Sequence, residues 1–576
     1  MNADTPNVDR KDLAERLRTR GLIGTLADRQ CRRIDDDHPE LLEAVATILN
    51  SAGAPPIDLG ADEALNELGG PGFFLVQHVL CDLIPLLNVD QSTLLPFVAR
   101  LLEAGGNDLA ANAPSEAFGE WTKKDVARPA ALYAAARDGD EPARRQLGTV
   151  LRMNTDVDEA LAFARADDRE PKLAAIFALG AMDVGERHAE VLAELLRGAA
   201  SANEDIALRS LEAAYRASER RKAHASAEFD AQLDRVLQGR SPHAVHLASN
   251  LLWLHKAGLS ENAIALCLNA AAYVDPDNTG TIANIDHATY QLVGNEDVER
   301  VVRLLADLMD RSEGRITLAA FQSTYHALKT AGPDVLGGAV AYWLLEGGVH
   351  TRKCVAGEVC SVGNDDPPFA IEPAALPADP SDQLFLCRKA VGWFFIDPLA
   401  AVAIPLAVLR HGSPTIADKV LDLIYDPLLL SYGGKLRDYL ERYIADGGPN
   451  ADSLGKLLAQ KTELQDAMEG IERLVELHPT ETQREAERVQ WHDQMERGME
   501  QGRRRSFLDD LFTKQYILYG RSSLTPIHVG EGETRLSETE MKSFSVSSEL
   551  PLLNIVDPVG LDRTLMHLKL ERRAQP

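Results

Sequence analysis

Asp275, Asp277 and Thr279 stand at alternate positions of the segment DPDNTGTIANID, with Gly280 at its sixth position and Asp286 at its twelfth. Oxygens at that spacing around a turn-making glycine suit calcium, which needs several carboxylate and carbonyl donors converging from one tight loop. Two positions depart from that chemistry. Asp286 closes the loop where a bidentate Glu is usual, and Ala283 offers no side-chain oxygen at the ninth position. A turn ahead of a helix, capped by Thr279 or Thr281, accounts for the same residues. A second group joins His350, Cys354, Cys360 and Cys387. Zinc takes four nitrogen or sulfur ligands, commonly as pairs two to four residues apart. Cys354 and Cys360 are more widely spaced, and only one His is near. Two buried, reduced thiols at a turn are the simpler account, and a metal-dependent enzyme built on this region is the alternative.

The Asp275 segment resembles an EF-hand loop, and the two departures weigh against it, so no metal and no cofactor is expected. His243 and His246 share a helix face near His255, but no HExxH pattern accompanies them. GPNADSLGKLL, from Gly448, ends like a phosphate loop with Leu457 where a magnesium-holding Ser or Thr belongs. Neither a Gly-x-Ser-x-Gly elbow nor a kinase signature set is present. Arg503, Arg504 and Arg505 form the sharpest basic cluster. Flanked by Glu500, Asp509 and Asp510, they suit a solvated helix face or an acidic partner. No catalytic residue is assigned, and a non-catalytic role is the stronger reading.

Sixty basic against 88 acidic side chains give the 576-residue chain a net charge of −28. That sign disfavours sequence-independent nucleic-acid binding, so a nucleic-acid-binding solenoid is held only as an alternative. Six irregularly spaced cysteines make no disulfide framework. The start, MNADTPNVDR, lacks a basic-then-apolar leader. Both features lead to the expectation of a cytoplasmic protein. Val391 to Leu409 approaches spanning length, but Asp397, Pro398 and Pro405 interrupt it. Two buried helices meeting at Asp397–Pro398 fit better than a membrane span.

What positions these residues is a recurring helix start. Apolar or Ala-rich runs open near Lys172, Ile206, Ala244, Ile282 and Ile316, at offsets of 34, 38, 38 and 34 residues. Each follows a polar or turn-forming residue, as in Glu170-Pro171, Glu204-Asp205 and Ser241-Pro242. Periods of this length mark arrays in which a unit buries its apolar face only by stacking on the next. Alternating helices at this period resemble the HEAT and armadillo class over about half the chain. The resemblance is architectural and implies no shared chemistry.

The chain is therefore read as all-α, an α-solenoid of HEAT-like helix pairs with a small mixed C-terminal extension. Its parts are an N-terminal helical region (1–127), the repeat block (128–350), a Pro- and Asp-rich insertion (351–383), a second helical block (384–479), and a charged helix with extension (480–576). Helix is expected above about 60% of residues, against the ~30–35% of an average domain. Phe177, Leu211, Leu251, Leu254 and Leu292 are the expected repeat core. The expected role is a protein-interaction scaffold or regulatory subunit of a bacterial-type assembly, in defence or regulation. Arg503, Arg504, Arg505, Leu552 and Ile555 are its expected contact residues. The oligomeric state is left open.

Overall fold

In a computed structural model of the chain the described residues are 10–26, 39–51, 70–106, 112–221, 226–254, 256–294, 297–360, 365–469, 480–504, 522–528, 534–540 and 549–573. They are mostly helical, with one antiparallel hairpin of strands Ser522–His528 and Thr534–Glu540. Among them no helix is long and apolar enough to cross a membrane. The chain divides into two compact units, 1–327 and 328–576.

In the first unit four of the five expected starts fall at helix N-termini, those of Arg169–Ala181, Glu204–Arg220, Pro242–Leu254 and Thr279–Gly294, and other helices open on caps of the same kind. Asn203 accepts the Ile206 amide, Ser226 that of Phe229, and Ser260 that of Ala263, each satisfying an amide that the first turn leaves without a partner. Helix Arg169–Ala181 packs against Glu141–Asn154 and Glu204–Arg220. Glu204–Arg220 packs in turn against Pro242–Leu254, and that helix against Thr279–Gly294. A second series, His188–Ala199, Ala227–Leu237, Glu261–Ala271 and Val298–Arg311, makes its own neighbour contacts. Small residues let the first series approach closely. A Cβ added at Gly180 would lie 2.6 Å from both the Cα and Cβ of Ala213.

Leu211, Leu251 and Leu292 are buried as expected. Phe177 and Leu254 are not, at 40% and 51% exposed. The Phe177 ring lies across Gly148 of the neighbouring helix and shows its other side to solvent. Leu254 is the last residue of its helix. The fifth expected start also shifts. Ile316 is buried ahead of a 3-10 turn, Leu318–Phe321, and the helix itself is Gln322–Ala331. Upstream, helix Ala113–Lys123 carries Pro114 in its first turn.

The second unit is organised around helix Pro380–Trp393, which packs against Pro333–Leu345, Pro398–His411 and Pro558–Leu570. A helix covered on so many sides must be apolar nearly all round, and Leu384 to Cys387 are all buried. The apolar stretch Val391 to Leu409 resolves into two helices. Asp397 accepts the amides of Leu399 and Ala400, both at 3.2 Å, and so caps the second. The first residues of the segment expected as an insertion (351–383) are helical, as part of Val349–Val359. Farther along, the Ala370 amide donates to Pro333 O at 2.9 Å. The crossing there is so close that a Cβ on Gly337 would lie 1.7 Å from Ala370 O.

The C-terminal segment is built into this unit. Glu549 accepts the amides of Gly434 and Lys435 at the start of helix Lys435–Ala445. Leu561 and Leu568 are buried. The fully buried Lys389 donates to Leu568 O at 2.8 Å, Lys569 O at 2.9 Å and Glu571 O at 2.6 Å. Three N–H donors thus meet three carbonyls at a helix C-terminus, where a cation is favoured. Burial pushes the ammonium down to about 8, Arg352 and Arg388 adding to the effect and Glu571 opposing it. Arg388 pairs with Glu571 at 2.5 Å, and Arg573 bridges Asp382 and Glu346. The sequence reading sets this tail apart from the fold. Its last helix instead supplies carbonyl acceptors and apolar side chains that the unit buries.

Candidate functional site

The clearest polar construction in the first unit joins helices Pro242–Leu254 and Thr279–Gly294 side by side. His246 Nδ1 and Thr281 Oγ1 are hydrogen-bonded at 2.9 Å. One turn on, Asn284 Nδ2 donates to Asn250 Oδ1 at 2.8 Å, and Asn250 itself lies 3.2 Å from His246 Nε2. A further turn on, the Trp253 and His287 rings stack, with centroids 5.4 Å apart and planes 22° apart. Each pairing across the two helices joins residues 34 or 35 apart, against the 38 separating the two helix starts read from the sequence. The same offset links Thr289 Oγ1 to Thr324 Oγ1 at 2.6 Å.

These residues share a face by helical arithmetic, since 246, 250 and 253 fall at spacings of four and three. Paired amides and stacked rings hold the side chains in fixed rotamers, while much of the face meets solvent. His246 and His287 are exposed, Leu254 and Tyr290 about half so. The sequence reading took His243 and His246 as ordinary histidines and missed Trp253, Asn250, Asn284 and His287. The signal was available as the 34-residue offset between Trp253 and His287 and between Asn250 and Asn284.

The calcium-like segment serves this frame. Asp286 is buried and turned away from the loop. Its Oδ1 accepts the Thr324 amide at 2.9 Å and the Thr324 hydroxyl at 2.7 Å, and its Oδ2 accepts the Ser323 amide at 3.2 Å. Asp286 therefore caps helix Gln322–Ala331. Asp275 accepts the Asp277 amide in a local turn, and Arg315 donates to Asp277 at 2.6 Å. Asn278, rather than Thr279 or Thr281, caps the helix by accepting the Thr281 amide. Nearby, the guanidinium carbons of Arg240 and Arg311 lie 3.7 and 4.2 Å from the Tyr273 ring centroid, beside a cleft of about 470 Å³.

The thiol group is dispersed between two helices. His350 and Cys354 sit on Val349–Val359, Cys360 just after it, and Cys387 on Pro380–Trp393. Burial pushes the Cys360 thiol up to about 12, helped by the Asp397 carboxylate, and raises Cys387 further. Such thiols resist becoming the thiolates that metals and nucleophilic chemistry use. Among the described residues no three His, Cys, Asp or Glu side chains converge as a metal site would require.

Of the expected contact residues, Arg503 and Arg504 occupy the end of helix Glu481–Arg504, and Arg505 lies outside the described residues. His255, the Phe507 to Leu518 run and the Ser543 to Ser547 alternation also lie outside them. Leu552 is half-buried, its amide donating to Ser431 O at 2.8 Å, while Ile555 is 75% exposed. The chain matches no protein-family model and no curated protein.

Proposed function

We propose that the first unit is a HEAT-like solenoid that acts as a non-catalytic scaffold for a protein partner, and that the partner docks on the face carrying Trp253, Leu254, His287 and Tyr290. The observation that carries the reading is this face itself. The stacked Trp253 and His287 rings and the exposed Leu254 and Tyr290 stand beside a ladder of side-chain hydrogen bonds that ties the two helices together before any partner arrives. Large, rigid aromatic side chains with polar edges give contact area at little entropic cost, which is why such residues dominate interface energetics. The ladder's 34- and 35-residue offsets support the helix-pair reading, because each unit contacts its neighbour in a constant register.

The test is co-purification with the intact chain and two surface variants, Leu254→Asp and Tyr290→Asp. Val126→Asp is the control, since Val126 is 91% exposed elsewhere in the same unit. The reading expects one and the same protein to be retained by the parent and the control and lost from both face variants. Equal retention by all four chains, or equal loss in the control, would sink it.

A further inference from the structure

A cleft of about 300 Å³ opens in the first unit where four helices meet, Val157–Arg165, Arg169–Ala181, His188–Ala199 and Glu204–Arg220. Its volume stands at the small end of the ~300–1,000 Å³ range of ligand sites, which suits a small metabolite. Ala164, Ile176, Leu195 and Ile206 give it apolar walls, and Arg165, Lys172, Glu194 and Arg197 bring charge to them. Helical spacing gathers these groups. Ile176 follows Lys172 by four residues, and Arg197 and Gly198 follow Glu194 by three and four.

Two of the charged groups are left with capacity to bind. Glu194 has a side chain only 8% exposed, and a charge that deep needs partners. Arg165 reaches it at 3.0 Å and Arg197 at 2.5 Å, but both donate to the same oxygen, Oε2. Among the described residues nothing donates to Oε1, and that oxygen is not sealed from solvent. Lys172 is half-buried and pairs with no carboxylate among the described residues. It stands in the first turn of its helix, where the dipole opposes a cation, so the fold itself offers it nothing. The carboxylates around it are committed elsewhere. Asp168 and Glu170 lie 2.6 and 3.8 Å from Arg144, Asp205 pairs with Arg169, and Glu190 with Arg165 and Arg187. Asp167 is exposed ahead of the helix. The cleft lining therefore carries three cations and one carboxylate in a chain of net charge −28.

We propose that this cleft binds a small α-amino acid with an aliphatic side chain. The ligand carboxylate meets the Lys172 ammonium, the ligand ammonium donates to Glu194 Oε1, and the aliphatic group packs on Ile176, Leu195 and Ile206. A zwitterion answers both groups together. A plain carboxylate brings a like charge to Glu194, and a plain amine adds a fourth cation to the lining. The inference stands apart from the docking face at Trp253 and does not rest on it.

Isothermal titration calorimetry of the full chain with L-valine, L-leucine and L-isoleucine reads the outcome, with isocaproate and isoamylamine as the leucine analogues lacking the ammonium and the carboxylate. At least one of the three amino acids is expected to bind in the millimolar range or tighter, and each leucine analogue at least about tenfold more weakly than L-leucine. Lys172→Met should weaken the amino acid at least about tenfold at an unchanged or higher melting temperature, because Lys172 has no partner to lose. Lys124→Met, an exposed lysine in the same unit, should bind as the parent does. Absence of heat with all three amino acids at millimolar concentration overturns the proposal, and so does a Lys172→Met chain that binds as the parent does. Isocaproate binding as tightly as L-leucine overturns the role given to Glu194.

Discussion

Replacing Lys389 with Met keeps the length and the apolar stem of the side chain but removes three donors at once. Leu568 O, Lys569 O and Glu571 O then lose the ammonium that reaches them at 2.6 to 2.9 Å. A hydrogen bond to a charged group is worth about 1.5–3 kcal/mol net, so three sum to roughly 4.5–9 kcal/mol. Against this stands the relief of burying a cation. Lowering the ammonium from 10.5 to about 8 corresponds to about 3 kcal/mol. The difference leaves a destabilisation of about 1.5–6 kcal/mol, its upper part reduced by non-additivity. Urea unfolding followed by far-ultraviolet circular dichroism measures it, and amide hydrogen exchange locates it in Pro558–Leu570. Arg573→Ala, which removes a more exposed ion pair, should cost no more than about 1 kcal/mol. A Lys389→Met chain within ~0.5 kcal/mol of the parent, with exchange over 558–570 unchanged, would refute the reasoning.

Other outcomes follow from the same geometry. Gly180→Ala should destabilise the first unit by about 1–3 kcal/mol through overpacking against Ala213, read as a lower urea midpoint. Leu211→Ala should cost on the order of 2–5 kcal/mol, and Leu254→Ala within about 0.5 kcal/mol, since only the first side chain is buried. Asp382 is held below its ordinary 3.8 by its hydrogen bond with Arg573. The native chain therefore binds that proton less tightly than the unfolded one, and the stability it contributes is present above about pH 4 and lost as pH falls further. Exchange protection over 558–570 should drop on acidification in the parent and drop less in Asp382→Asn. Millimolar calcium should leave the melting temperature unchanged, because both Asp286 oxygens already accept from Ser323 and Thr324. A calcium-dependent rise that vanishes in Asp275→Ala would overturn this.

Helix content and most helix starts were legible because caps and prolines act over three or four residues. Ser241-Pro242 and Ser413-Pro414 announce their turns locally, and the reading needs nothing distant. Long-range partners were not legible. Asp286 reads as a loop ligand in sequence, and only the neighbouring helix 38 residues on reveals it as a cap. Lys389 looks like any charged residue in an apolar helix, while its acceptors lie about 180 residues away. Phe177 and Leu254 satisfied the apolar period and still face solvent, because periodicity reports a helix's faces without saying which neighbour covers each one. Asn250, Trp253, Asn284 and His287 were hidden for the same reason, since each looks like an ordinary surface residue until the 34-residue offset is compared between helices.

The Asp286 cap gives the helices of the first unit a direction. The carboxylate that completes the start of Gln322–Ala331 is carried by the earlier helix Thr279–Gly294, so the dependence runs one way along the chain. A fragment that stops after Gly294 keeps Asp286 on an intact helix and forfeits only its downstream acceptor role. A fragment that begins after Gly294 keeps Gln322–Ala331 but leaves the Ser323 and Thr324 amides without that carboxylate. Trimming from the left should thus fray the remainder, whereas trimming from the right should leave it whole. Growth during synthesis has the same polarity at this step, because Gln322–Ala331 emerges after Asp286 is already in place.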